Sequence, residues 1–442
     1  MTVSACERGV VEDVRDDGDG CRHLKNVALQ VTSRIRSNIG MTVPPQTLPL
    51  GSDSRAGRYS DAHHEDAPSC VVGVISGRSN CGRVASTGPG RRGAPARWLA
   101  RDVHPSEMTD GAGAIVVVIG AGVTGSRVAA NLAGVDGLRI GVIDTRDDVA
   151  RAVARSVSGA VVELAHAKVA DVVVLALPAP HAELARELVE SGVAVVSMSD
   201  DVVDVEALLA MHPLAERRGV GLVVGAAMAP GLTGLLARNL AVQLDAVDEI
   251  HVAMHGTAGP ACARQHHRAL GGTSVGLHDG EWIRRPAGAG RELCWFPEPV
   301  NAYDCYRAEV PEPLLLHRVF PGVMRMSARM SGTRRDRFTA RLPMLSPPHR
   351  EGGVGAVRVE LRGALAGGAR ETLVAGAAMR SGVAAAAVAS AAAEWLSTGA
   401  GGLTGAIVLG DSRLPSADLL MRVRGWGVPL FDFTGVARPA EA

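Results

Sequence analysis

Residues 115–125, IVVVIGAGVTG, constrain this chain more than any other stretch. The continuous β-branched apolar run suits a strand buried on both faces of a parallel sheet. The glycines Gly120, Gly122 and Gly125 follow at once and open a helical pattern over 123–133. The next strand, LRIGVID, ends in Asp144, nineteen residues beyond Gly125. Glycine is abundant here (53 of 442 residues), so the Gly-x-Gly-x-x-Gly spacing alone says little. Strand, turn, helix and a strand-end acid together specify a dinucleotide site. Gly120 permits the tight turn, Gly122 lets the backbone approach a pyrophosphate, and Gly125 lets helix and sheet pack closely. Backbone N–H groups of Val123 and Thr124 at the helix start then face the phosphates.

An acid at Asp144 accepts hydrogen bonds from the adenosine ribose hydroxyls and favours NAD, because a 2′-phosphate would meet like charge. Arg146, two residues on, is suited to pair with that phosphate instead, so NAD and NADP both stay open with NAD preferred. Pro178, in the LALPAPH loop after the fourth strand, shapes the sheet edge beside the nicotinamide half. His181 in the same loop reads as a surface residue that begins the next helix. The acids of SMSDD (197–201) serve equally well as helix caps or substrate contacts.

Strands continue to alternate with helices: strands at 160–164, 171–177, 193–198 and 221–227, helices at 146–154, 181–190 and 204–218. That order predicts an α/β, Rossmann-type doubly wound parallel sheet over 112–240. Beyond a Pro230-Gly231 turn and a helix over 232–244, alternating strands at 248–256, 354–363 and 371–378 predict a second, α+β domain over 241–378 for substrate and dimerisation. An Ala-rich helix over 380–396 and short strands at 405–410 and 430–433 should pack back on the first domain, as a segment 379–442. Residues 1–107 lack any lasting periodicity and bury too little apolar surface to offset chain entropy. They are expected to be a disordered extension, or a non-native one if translation starts at Met108.

The net charge is zero, which argues against nucleic acid or an anionic membrane as partner. Seven unevenly spaced cysteines do not make a disulfide framework, and no apolar run suits a membrane span, so a reducing, cytoplasmic setting is expected. Lysine is confined to Lys25 and Lys168, which disfavours Schiff-base chemistry. The densest polar group is HGTAGPACARQHHRALGG (255–272). His255, His266 and His267 are candidate proton donors, with His266 and His267 expected to begin a helix and at most one facing the cleft. Arg264 or Arg268 is suited to hold a substrate carboxylate. Cys262 beside two histidines lacks further ligands, so no metal site is expected. Trp282, Trp295, Phe296, Tyr303 and Tyr306 either wall a pocket or serve core and subunit contacts.

Three stretches, GAGVTGSRVA (120–129), 171–201 and GAAMAPGLTGLLARNLA (225–241), resemble the saccharopine dehydrogenase-like oxidoreductases, over roughly residues 114–400. The resemblance implies a Rossmann domain leading through a Pro-Gly turn into a second domain over the cofactor, with NAD(P)-dependent redox chemistry. It carries over the glycines and Asp144; no lysine here matches the catalytic lysine of the lysine-forming enzymes. The expected function is hydride transfer to or from a C=N, C=O or activated C=C of a small metabolite, with a homodimer as the partner state to test. The alternative is a non-catalytic NAD(P)-binding sensor or scaffold. A methyltransferase is disfavoured by the helix-packing Gly125.

Overall fold

The computed structural model describes residues 113–399 and 402–433, and the backbone of 437–439. The expectations for residues 1–107, including a start at Met108, lie outside the described residues. In chain order the elements are β1 (Ala114–Ile119), α1 (Gly125–Ala133), β2 (Leu138–Ile143), α2 (Asp147–Ser156), β3 (Ala160–Val161), α3 (Leu164–Ala167), β4 (Val172–Leu175) and α4 (Ala182–Glu190). Then come β5 (Ala194–Ser197), α5 (Val202–Leu209), α6 (His212–Arg218), β6 (Gly221–Val224), α7 (Leu232–Ala241), β7 (Ala246–His255) and α8 (Pro260–Ala269). They are followed by β8 (Thr273–His278), β9 (Glu281–Pro286), β10 (Glu292–Trp295), β11 (Ala302–Arg307), α9 (Glu312–Val319), β12 (Arg325–Ser331) and α10 (Arg334–Thr339). The last are β13 (Val354–Ala364), β14 (Arg370–Arg380), α11 (Ser381–Ser397), β15 (Gly405–Val408), α12 (Ser416–Gly425), β16 (Leu430–Phe433) and β17 (Ala437–Pro439).

The first sheet runs β15-β6-β5-β4-β1-β2-β3, and its ladders are parallel. Successive residues of β1 feed opposite faces. Val116 and Val118 join one core with Val128 and Leu132 of α1 and the alanines of α11. Ile115, Val117 and Ile119 join the other with Leu188 of α4 and Leu208 of α5. This is the doubly wound Rossmann sheet read from the sequence, with both faces covered so that its strands are apolar throughout. The order reverses between β4 and β1, where a crevice at the strand ends is expected to take ligand.

Two predicted elements come out differently. The strand at 160–164 closes after two residues, because Glu163 and His166 form a reciprocal cap that starts α3. The helix over 204–218 divides into α5 and α6. Pro213 has no N–H to continue a helix, yet fits the first turn of a new one.

The second sheet runs β10-β11-β12-β7-β13-β14-β16-β17, with the β8–β9 hairpin joined to β12. It is mixed: β12 pairs parallel with β7, and β13 antiparallel with it. Ile250, Val252 and Met254 of β7 face the larger core, whereas Glu249, His251 and His255 point to the other side. Phe296 and Tyr306 are buried, while Trp282, Trp295 and Tyr303 are exposed. The C-terminal segment serves both layers. Strand β15 extends the first sheet beside β6, and β16 extends the second beside β14. Helix α11 is apolar all round and buried along most of its length, as such a helix must be. Among the described residues no helix is long and apolar enough to cross a membrane.

Candidate functional site

Construction of the site begins where β1 ends. Gly120 has φ +99°, and a Cβ there would lie 2.5 Å from the Ala176 carbonyl oxygen at the exit of β4. A Cβ on Gly125 would lie 1.7 Å from the Gly120 carbonyl oxygen, so only glycine permits this approach of α1 to the turn. Gly122 differs from both: a Cβ there would meet nothing within 4 Å. Its lack of a side chain serves no contact within the protein and leaves open a cradle of the kind a pyrophosphate fills. Thr124 makes no side-chain capping bond at the start of α1, so the helix N-terminus stays free for an anion.

Asp144 completes this half of the site. One carboxylate oxygen accepts the Ala121 N–H at 2.8 Å, tying the strand-end acid to the glycine turn. The Arg146 backbone N–H and guanidinium donate to the same carboxylate at 2.9–3.2 Å. Burial works against ionisation of Asp144, but Arg146 and the Ala121 amide outweigh it and hold the carboxyl below its usual range. Arg146 is thus engaged with Asp144 while its own side chain stays mostly exposed. Pro178 is exposed in the loop after β4.

His181 corrects the expectation of a surface residue, for it is fully buried. Its Nδ1 lies 2.9 Å from Ser197 Oγ, and Nε2 donates to the Leu177 carbonyl at 2.8 Å. Both oxygens of Asp204 accept the His181 N–H, and one accepts that of Ala182, which caps α4 from α5. Burial holds the imidazole pKa below its usual 6.5, against the pull of Asp204 and Asp200. The folded pKa is lowered, so the stabilisation is complete above 6.5 and is lost as pH falls below it. Unfolding free energy is expected to fall by up to about 1.4 kcal/mol per pH unit through His181 alone. Denaturant titrations from pH 7 to 5 should show a shallower decline for His181→Gln; an identical slope would count against this role.

The second half of the site is carried by α8. Its N-cap, Gly259, lies against the Val123 side chain of the glycine turn, as does Gly382 at the start of α11. From there α8 spans to the loop after β5, where Gln265 Nε2 donates to Asp201 at 3.0 Å. Asp201 also caps α5. Cys262 and His266 are one helical turn apart and share a face. Cys262 Sγ lies 3.7 Å from His266 Nε2, and Asp200 Oδ2 lies 3.4 Å from the same nitrogen. Burial opposes the imidazolium of His266, but Cys262 and Asp200 together hold its pKa well above the usual value. Glu312, the first residue of α9, is 1% exposed, and neither carboxylate oxygen has a hydrogen-bond partner. Burial pushes Glu312 up to about 7, with His266 opposing that rise and Asp200 adding to it.

The structure therefore separates the residues proposed as catalytic. His266 joins the cluster. His267 is buried on the other side of α8, where Nε2 donates to the Thr339 carbonyl at 2.9 Å and is tied to α10. Both histidines lie in the last turn of α8 rather than at its start. His255 stands on the opposite face of the second sheet, 2.8 Å from Ser331 Oγ and stacked on Tyr303 at 4.1 Å. Arg264 and Arg268 are exposed. The expectation that Cys262 lacks ligand partners missed Asp200, which sits 62 positions earlier in the chain. Glu312 carried no sequence signal, since an acid in a first helical turn reads as a complement to the helix dipole.

No family model matches the chain. Myo-inositol dehydrogenase Hyg17 of Streptomyces leeuwenhoekii is 32% identical over 127 residues, 28% of this chain and 38% of that protein. The chain thus matches well under half of that curated relative's length. Among solved structures, apo saccharopine dehydrogenase (L-Glu forming) of Saccharomyces cerevisiae superposes with TM-score 0.55 at 13% identity, covering 73% of this chain and 100% of that one. A meso-diaminopimelate dehydrogenase mutant of Clostridium tetani E88, in complex with DAP, gives TM-score 0.41 at 14% identity, over 69% and 95% of the two chains. The yeast enzyme shares the fold, in keeping with the resemblance read from the sequence.

Proposed function

We propose that this protein is an NAD(P)-dependent oxidoreductase acting on the C=O, C=N or activated C=C of a small metabolite. The observation that carries the reading is the glycine turn itself: an open cradle at Gly122, hydrogen-bonded through Ala121 to Asp144. Gly120, Gly122, Val123, Thr124 and Gly125 would hold the pyrophosphate, and Asp144 the ribose. NAD is the preferred form, because the Asp144 carboxyl is held ionised and a 2′-phosphate beside it would meet like charge. The bound coenzyme supplies or accepts the hydride.

Asp200, Cys262, His266 and Glu312 stand on the loop after β5 and on the elements that follow it, at the edge of the sheet where the nicotinamide half belongs. Burial raises the Glu312 carboxyl to about 7, so a substantial share of it is protonated near neutral pH and its hydroxyl oxygen can donate the proton that accompanies hydride addition. Helix α8 starts against Val123 of the glycine turn and reaches Asp200 through His266, so it links the coenzyme half to the polar cluster. The dehydrogenase identity of the curated relative agrees with this reading.

The test is direct. The purified full chain should bind NADH with enhanced, blue-shifted nicotinamide fluorescence, and at least one member of a panel of keto acids, imines, sugars and enones should oxidise it. Absence of binding to NADH and NADPH alike would sink the proposal. Binding without turnover on the whole panel would favour a sensor.

A further inference from the structure

We infer that Asp200, Cys262 and His266 form a three-ligand site for a zinc-class divalent cation, with the remaining position open to water or substrate. The argument starts from convergence. Cys262 Sγ and Asp200 Oδ2 both approach the same ring nitrogen, Nε2 of His266, at 3.7 and 3.4 Å. A relay of the nucleophile–base–acid kind needs the acid on the other nitrogen, so that the ring passes a proton across. Here Nδ1 is buried without a hydrogen-bond partner. One N–H cannot serve a sulfur and a carboxylate equally well, whereas one cation can accept lone pairs from all three groups.

The spacing agrees. With zinc about 2.1 Å from nitrogen and oxygen and about 2.3 Å from sulfur, tetrahedral angles put the N···S edge at about 3.6 Å and the N···O edge at about 3.4 Å. The three ligand atoms all lie within 4.8 Å of one another. A thiolate, an imidazole and one carboxylate suit zinc rather than magnesium or calcium, which demand oxygen ligands. Three protein ligands with a fourth position free is the pattern of a catalytic rather than a structural zinc site.

The supports are built as well as the ligands. Helix α8 presents Cys262 and His266 on one face, and the Gln265–Asp201 hydrogen bond fixes the loop that offers Asp200. Glu312 adds an independent sign: it is a buried carboxyl with both oxygens unpartnered, close enough to His266 and Asp200 for their charges to act on it. Ligation needs a Cys262 thiolate and a His266 imidazole with the Nε2 lone pair free, so the protons held on Sγ and Nε2 leave to solvent as the cation binds. Under the dehydrogenase reading, on which this use rests, the cation would polarise the substrate oxygen or nitrogen while Glu312 handles the proton.

The full chain, freed of metal by chelator, should take up one equivalent of Zn2+ on dialysis. Co2+ in its place should give an intense thiolate-to-cobalt absorption band. Cys262→Ser should lose the band and weaken zinc binding at least about 100-fold, and Asp200→Asn and His266→Gln should weaken it similarly. X-ray absorption of the one-zinc wild-type protein should find one sulfur among nitrogen and oxygen ligands, a readout that does not depend on any variant folding. The sequence holds four other cysteines before residue 113, so the tightest equivalent must be the one lost in Cys262→Ser. Uptake unchanged in that variant, or a zinc shell with two or more sulfurs or none, overturns the site. Zinc uptake is measured without nucleotide and NADH binding without zinc, so failure of the metal site and failure of the coenzyme site are told apart.

Discussion

Gly122→Val is expected to weaken NADH binding at least about 100-fold, a loss of about 2.7 kcal/mol, while the protein melts as the parent does. The reason is the difference between two glycines three residues apart. A Cβ on Gly122 meets nothing within 4 Å, so a side chain can start there without a clash at its first carbon. The same side chain fills the volume through which a pyrophosphate must reach the N–H groups of α1. Gly125→Ala is the control with the opposite signature. Its Cβ would lie 1.7 Å from the Gly120 carbonyl oxygen and 3.1 Å from the Ala176 side chain. Helix, turn and β4 exit must then separate, at a cost of about 3 kcal/mol or more. Calorimetric titration with NADH and a thermal melt of each variant check the pair. Wild-type affinity in Gly122→Val would dispose of the phosphate cradle, and wild-type stability in Gly125→Ala would dispose of the close packing.

Glu312→Gln is expected to lower kcat about 100- to 10,000-fold on whichever acceptor the enzyme reduces, with NADH affinity retained. The amide keeps the shape of the carboxyl but cannot give up a proton. A second effect runs the other way. The folded pKa of Glu312 is raised to about 7 from a usual 4.5, so the folded protein holds the proton more tightly than the unfolded chain does. Stability therefore declines as pH rises through 4.5, and the decline is complete above 7. The charged groups acting on this carboxyl are His266 and Asp200, with opposite signs, and burial exceeds both. In chelator-treated protein the variant should gain on the parent across that interval, reaching about 3 kcal/mol at pH 8. A variant that is slower yet more stable above neutrality fits a carboxyl kept for chemistry. A variant with unchanged kcat would remove Glu312 from the reaction.

The glycine turn and its strand-end acid were legible because their physics is local. Strand, turn and helix are consecutive, and Gly120, Gly122, Gly125 and Asp144 fall within 25 residues. The cluster around His266 was not. His255 lay in a visible alternation, Ile250, Val252 and Met254 against His251, Ala253 and His255, that already sets it on the face away from the core. His266 and His267, adjacent in sequence, part by one helical step, and sequence alone could not choose between them. Asp200 and Glu312 meet α8 only through tertiary packing, so no spacing announced them. His181 was misjudged for a related reason: its partners Ser197 and Asp204 belong to the next strand and helix, which close over the loop.

Strand β15 carries one further consequence. It pairs with β6, about 180 residues upstream, after strands β7 to β14 of the second sheet have intervened. As the chain emerges from a ribosome, the backbone edge of β6 stays unzipped until that late piece arrives, an aggregation-prone interval for any nascent polypeptide. Folding speed should accordingly be governed by this long-distance closure rather than by the quick local wrapping of its opening glycine turn.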